Sequence, residues 1–219
     1  MWHETGHREE VTFIAQSPQQ DSFAVGYADG SIRLWNTSTN SVVTTFNGHR
    51  KAITALAFND AGTHFASGSQ DTDLILWDIV GEAGLYRYEI VKIFSSGNLM
   101  FRRLRGHRDQ ITAIQFLPGP DQPSTSASGV SGFLLTASKD TFMKLWDLST
   151  QHCIQTIVAH RSEIWSLDVS PEKDLIFTGS GEGEVKAWRI DRGAHGLKET
   201  ETGEVCYLFR TCDPNLLQQ

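Results

Sequence analysis

Histidine, a hydroxyl residue and an acid recur along this chain in a fixed order. His49 precedes Ser67 and Asp71, His107 precedes Thr136 and Asp140, and His160 precedes Thr178 and Glu182. His7 precedes Asp29, with Val25 where the hydroxyl would stand. A Ser–His–Asp set is the equipment of nucleophilic acyl transfer, and four histidines invite a metal ion. Neither chemistry suits the pattern. One histidine falls in each of four segments, so the rings are spread over separate units instead of converging on one ion. No nucleophile elbow or oxyanion-hole sequence accompanies the serines. The glycine-rich run 179–183 lacks the Lys-Ser/Thr and following helix that a phosphate cradle requires. The reading is therefore no enzyme, no cofactor and no metal, with the three residue types serving as buried staples.

The elements that would position them follow from a second regularity. His7, His49 and His160 are each followed 28 residues later by Trp35, Trp77 and Trp188, while His107 and Trp146 stand 39 apart. Each histidine follows Gly or Ala, and each tryptophan lies six positions after Asp29, Asp71, Asp140 or Glu182. One supersecondary unit is thus used four times, and each copy rests on its neighbours. Between the landmarks, short stretches rich in Val, Ile, Thr and Phe alternate in strand fashion, giving four strands per unit. In the second unit, 52–58, 64–68 and 73–77 read as the first three. The acid falls in the tight turn between the second and third strands, where its oxygens can accept from turn amides and from the histidine. Ser67 then passes the network to the ring nitrogen of Trp77. The fourth-unit acid is expected to be Glu182, given room by Gly181 and Gly183.

The expected fold is all-β, with blades at about 6–46, 48–104, 106–157 and 159–209 within a repeat region of 1–191. Three features break the period. Residues 88–103 form an atypical insertion, since Trp77 and His107 are 30 apart against 14 elsewhere. Met100 to Leu104 is one source of a fourth strand for that blade; an unspliced artefact is the other and the favoured reading. Residues 118–132 have the composition of a flexible loop. Residues 192–219 are expected to be an irregular tail in which 204–209 supplies a last strand. Cys153 reads as a core strand residue.

Net charge is −7 and hydrophobic content 39%, enough for a packed core and unlike a generic nucleic-acid binder. Three cysteines without a disulfide spacing fit a reducing compartment. No apolar signal region follows Met1, so a soluble intracellular protein is expected. One surface pattern remains. Every histidine of the repeat is followed by arginine, at Arg8, Arg50, Arg108 and Arg161. These occupy one repeat position and should form an arc, reinforced by Lys51, Arg105 and Lys139, that suits an acidic peptide or RNA phosphate. Ordinary loop solvation, with Glu9, Asp109 and Glu163 as neutralising neighbours, is the alternative.

Gly-His, the turn acid and Trp-Asp, in this order and spacing, resemble the WD40 repeat of β-propeller proteins. The resemblance covers about 6–190 and implies four-stranded antiparallel blades around a channel. Because that family commonly has more blades, the chain is read as a partial propeller. Longer strings are more particular: VGYADGSIRLWN, TFNGHRKAIT, SGSQDTDLILWDIVGEAGLYR and SKDTFMKLWDLSTQHCIQTIVAHRSEIW. Together they resemble the N-terminal propeller of the WD repeat protein 3 family, Dip2-type subunits of the small-subunit processome. In that family GLYR runs straight into LRGH, and residues 88–103 depart from this. The resemblance implies a nucleolar scaffold in 18S ribosomal RNA maturation and ribosome biogenesis, associated with U3 small nucleolar RNA and other WD40 subunits, with no membrane or small-molecule partner. The other function weighed is a substrate-recognition adaptor of a ubiquitin ligase, or a generic WD40 signalling scaffold.

Overall fold

A computed structural model describes residues 9–18, 21–79, 100–118, 132–170, 175–191 and 196–199. Among them there is no helix, and sixteen strands form four antiparallel sheets. Blade 1 runs β1 (Val11–Gln16), β2 (Ser22–Tyr27), β3 (Ser31–Asn36), β4 (Ser41–Asn47). Blade 2 is β5 (Ile53–Phe58), β6 (His64–Ser69), β7 (Leu74–Asp78), β8 (Met100–Leu104). Blade 3 is β9 (Ile111–Leu117), β10 (Phe133–Ser138), β11 (Phe142–Asp147), β12 (His152–Val158), and blade 4 is β13 (Ile164–Val169), β14 (Leu175–Ser180), β15 (Val185–Asp191), β16 (Gly196–Glu199). In each, consecutive strands are hydrogen-bonded neighbours. The first strands β1, β5, β9 and β13 lie side by side in that order.

The turn between the second and third strands sets the register of each blade. Asp29, Asp71 and Asp140 accept from the N–H two residues on, at Ser31 (2.8 Å), Asp73 (3.0 Å) and Phe142 (3.0 Å). This local ring replaces a ladder bond and bends the chain. The residue after each turn acid is left-handed in every blade: Gly30 at φ 87°, Thr72 at 70°, Thr141 at 72° and Gly183 at 78°. Only glycine adopts that conformation without strain, so blades 2 and 3 hold a β-branched residue there at some cost.

Blades stack face to face through three buried clusters. Ala24, Ile32, Leu34 and Phe46 of blade 1 meet Ile53, Phe65, Ile75 and Trp77 of blade 2. Ala66, Leu74, Leu76 and Leu104 of blade 2 meet Ile111, Ile114, Leu134 and Trp146 of blade 3. Leu135, Ala137, Met143 and Leu145 of blade 3 meet Ile164, Leu167, Ile176 and Trp188 of blade 4. Trp77, Trp146 and Trp188 therefore each pack at the junction with the blade before their own. The glycines before His49 and His107 have their reason here: a Cβ on Gly48 would sit 2.9 Å from the Trp77 ring, and one on Gly106 3.2 Å from Trp146.

Met100 to Leu104, one of the two sources weighed for the fourth strand of blade 2, forms β8, which pairs Leu74 with Leu104 as β3 and β4 pair Ile32 with Phe46. Arg103 fixes the strand by donating to Asp73 at 3.0 Å and to the Gly48 carbonyl. Residues 88–99 lie outside the described residues, as do 119–131 of the expected loop. The tail 192–219 is not wholly irregular, because 196–199 pairs with β15 from Trp188↔Glu199 to Asp191↔Gly196; the expected strand at 204–209 lies outside the described residues. Cys153 is a strand residue but exposed, since β12 is the outermost strand of its sheet.

Candidate functional site

The repeated polar residues close into short chains, one in each of blades 2, 3 and 4. In blade 2, Trp77 Nε1–H donates to Ser67 Oγ at 2.8 Å, and Ser67 Oγ meets His49 Nε2 at 2.7 Å. His49 Nδ1 lies 3.1 Å from both oxygens of Asp71. A proton on Nδ1 satisfies every member: indole to hydroxyl, hydroxyl to Nε2, Nδ1–H to carboxylate. Blade 3 repeats this with Trp146 to Thr136 at 3.0 Å, Thr136 to His107 at 2.8 Å and His107 to Asp140 at 2.9 Å. The geometry resembles a hydrolytic triad, but the Ser67 hydroxyl is wholly buried and its lone pair is taken by an indole. A substrate carbonyl has no approach to it, which leaves these groups a structural role.

Blade 4 corrects the assignment of Glu182. Trp188 Nε1 donates to Thr178 at 2.9 Å and Thr178 meets His160 at 2.8 Å, yet His160 Nδ1 pairs with Glu184 at 3.0 Å. Glu182 is exposed at the turn tip. An aspartate there closes a compact ring with the N–H two residues on. The extra methylene of glutamate carries the carboxylate past that amide, and the Glu184 N–H goes to Ser180 Oγ at 3.2 Å instead. Glu184, at the start of the third strand, reaches back to the imidazole. Glu184→Ala should lose about 1–2 kcal/mol in urea denaturation, and Glu182→Ala should stay within about 0.5 kcal/mol.

In blade 1, His7 lies outside the described residues. Val25 is buried at the hydroxyl position. Tyr27 lies two residues on, on the same strand, and burial raises its phenol above the ordinary value, against the lowering effect of the nearby Trp35. Residue types and spacing alone did not indicate Tyr27 or Glu184, nor the turn serines. Ser69 Oγ accepts from Asp71 N–H and donates to the Lys51 carbonyl; Ser138 Oγ does the same with Asp140 and Asp109. The available signal was a serine two positions before the acid in three units, Ser69, Ser138 and Ser180.

Burial alone would raise the Asp71 carboxyl, but hydrogen bonds from His49 and from the Arg50 and Asp73 amides hold it at about 2, against an ordinary 3.8. Asp140 is lowered likewise: burial opposes, while His107 and the Arg108 and Phe142 amides prevail. A carboxyl lowered on folding contributes stability that is complete above its unfolded value and lost as pH falls toward its folded one. His64 is lowered from 6.5 chiefly by burial, partly offset by Asp78. Its charged form is disfavoured in the fold, so stability is also lost as pH falls below the unfolded value. Acid titration of the urea midpoint should therefore show a small loss beginning near 6.5 and a larger one between about 4 and 2, with Asp71 alone contributing on the order of 2 kcal/mol. His64→Gln should remove the first step; its persistence would count against this assignment.

The arginines occupy one repeated place. Backbone N–H groups of Arg50 and Arg108 donate to Asp71 and Asp140, each at 2.8 Å, and the side chains of Arg50, Arg108 and Arg161 are exposed, as is Lys51. The remaining arc members differ. Arg105 is exposed but paired with Asp73 at 3.2 Å. Lys139 is half-buried, its Nζ 4.1 Å from the Trp165 ring centroid, which joins blade 3 to blade 4 at the rim. Arg8 lies outside the described residues. Among the described residues there is no group of three or more His, Cys, Asp or Glu arranged for a metal, and no helix long and apolar enough to cross a membrane.

Comparison with known proteins places this architecture. Nuclear distribution protein PAC1 of Coccidioides posadasii is 33% identical over 103 residues, 47% of this chain and 21% of that protein. Elongator complex protein 2 of Saccharomyces cerevisiae is 29% identical over 118 residues, 52% of this chain and 13% of that protein. Eukaryotic translation initiation factor 3 subunit I of Candida albicans is 29% identical over 91 residues, 42% of this chain and 23% of that protein. The chain thus spans less than a quarter of the length of these relatives, and their names share no common task. The WDR3 first beta-propeller domain matches far more of it, residues 1–190. With four blades, three of them built on the same staple, and that match across most of its length, the chain belongs to the WDR3 first β-propeller domain family.

Proposed function

We propose that this chain is a non-catalytic interaction scaffold of the small-subunit processome, acting in 18S ribosomal RNA maturation and ribosome biogenesis in the nucleolus. The observation that carries the reading is the family match over residues 1–190. Its partners are other WD40 subunits of the particle and, through them or directly, U3 small nucleolar RNA and pre-ribosomal RNA. The interior of each blade is occupied by packing and by the polar chains, so recognition falls to the loops. There the exposed side chains of Arg50, Lys51, Arg108 and Arg161 offer positive charge to an acidic segment or a phosphate backbone.

Pulldown with the tagged full chain from nuclear extract, followed by RNA and protein identification, tests this. U3 RNA and processome subunits should be enriched over an unrelated propeller, and combined Arg50→Glu, Arg108→Glu and Arg161→Glu should remove them with the circular dichroism spectrum unchanged. Cullin components in their place would favour the ubiquitin-ligase adaptor, and recovery of neither set would reduce the reading to a generic scaffold. Capture undiminished by the triple reversal would remove the arginine arc from it.

A further inference from the structure

The rim between blades 3 and 4 departs from the repeat at positions that meet in space. Ile53, Ile111 and Ile164 pair with Ser69, Ser138 and Ser180 in equivalent registers. The residue after each is Thr54, Thr112 and Trp165, and blade 1 also has a threonine there, Thr12. A second repeat position stands just before the turn acid. It holds Ala28, Gln70, Lys139 and Gly181, whose backbone N–H groups donate to the carbonyls of Glu10, Ala52, Gln110 and Glu163. The Trp165 ring is placed by two of these. Lys139 Nζ, from blade 3, lies 4.1 Å from its centroid. Gly181 seats its edge, since a Cβ there would fall 2.9 Å from Nε1. Trp165 is still 54% exposed. That access belongs to the repeat position and not to the free side of blade 4: Thr54 and Thr112 are only half-buried although their strands have a neighbouring blade on each side, and the indole meets blade 3. Three blades manage with threonine, so the fold does not require an indole here.

We propose that Trp165 is the anchor point for an acidic segment of a protein partner, whose aromatic or large aliphatic side chain lies on the indole while its carboxylates meet Arg108, Lys139 and Arg161. The inference rests on the scaffold reading above and names the chemistry of the partner. Arg108 adjoins Lys139, because its N–H donates at 2.8 Å to Asp140, the next residue along. Arg161 lies in the loop that enters the strand of Trp165, and both arginine side chains are exposed. Exposed Asp109, Glu163 and Glu182 stand among these cations. The rim therefore lacks the unbroken positive track that a nucleic-acid backbone follows and suits a chain with a few spaced carboxylates. Tryptophan flanked by arginine is also the composition that concentrates binding energy between proteins.

Selection of short displayed random peptides on the full chain, followed by fluorescence anisotropy of the enriched sequences, tests this. The enriched peptides should carry an aromatic or large aliphatic residue flanked by Asp or Glu. Trp165→Thr, which installs the residue of the other blades, should keep the circular dichroism spectrum and weaken these peptides by about 30-fold. Trp165→Phe should weaken them less, and Arg108→Glu should weaken them as well. Acidic peptides without an apolar residue, or binding that survives Trp165→Thr while falling with Arg108→Glu, would overturn the anchor and leave the arginine arc standing. Enrichment of basic or uncharged peptides, or of none, would overturn the acidic partner altogether. Tighter binding of single-stranded oligouridylate, lost with Trp165→Thr, would overturn it in favour of a nucleic acid.

Discussion

Trp77→Ala is expected to lower the stability of the chain by about 3–5 kcal/mol, the range for removing a fully buried large aromatic. Trp77 is 0% exposed, lies edge-on to Phe46 at 5.2 Å between centroids and stacks on Phe65 at 6.0 Å. Its ring also fills the space above Gly48. Nothing nearby is free to collapse into the void, because Phe46 and Phe65 are themselves held edge-to-face at 5.0 Å. The loss should appear as a lower urea midpoint. Since each unit contacts only its neighbours, amide exchange should quicken first in blades 1 and 2, which share this junction. Uniform quickening across all four blades would contradict the local character claimed for the junction.

The second large effect comes from removing one oxygen. Ser67→Ala leaves the Trp77 N–H without its acceptor and His49 Nε2 without its donor, both in the interior. Each orphaned group costs about 1–3 kcal/mol, so the expected loss is about 2–6 kcal/mol. Ser67→Thr supplies the test of cause. Thr136 and Thr178 fill the same place in blades 3 and 4 with bonds of 2.8–3.0 Å, so the threonine variant should keep the polar chain and lose much less. If alanine and threonine cost the same in urea denaturation, packing rather than hydrogen bonding would govern stability at this position.

Most of the fold is legible in the residues because the signals repeat. Position and residue type together locate four blades, the turn acids and the tryptophan staples, and each inference can be made independently three or four times. What escapes depends on quantities that spacing does not carry. Glu182 occupies the repeat position of Asp71, but side-chain length decides which carboxylate reaches the imidazole, and the chemistry moves to Glu184. Tyr27 lies near Trp35 at a place where the other blades have serine, so no repeat signal points to it. Counting residues also makes 88–103 look superfluous. The sheet requires only that an apolar residue stand three positions before His107, and Leu104 meets that requirement whatever precedes Met100. Cys153 is misplaced by its sequence pattern because an alternating strand does not reveal whether it lies at the centre or the outside of its sheet.

The way the turn acids bind Arg50 and Arg108 separates what must be kept from what can vary. Asp71 and Asp140 grip the main-chain N–H of these residues, which every amino acid except proline possesses. The loop is thereby held at a fixed location while the side chain it displays is unconstrained by the scaffold. New binding preferences can arise at these tips through single codon changes that leave folding untouched, which helps to explain how one architecture is shared by relatives of such different names.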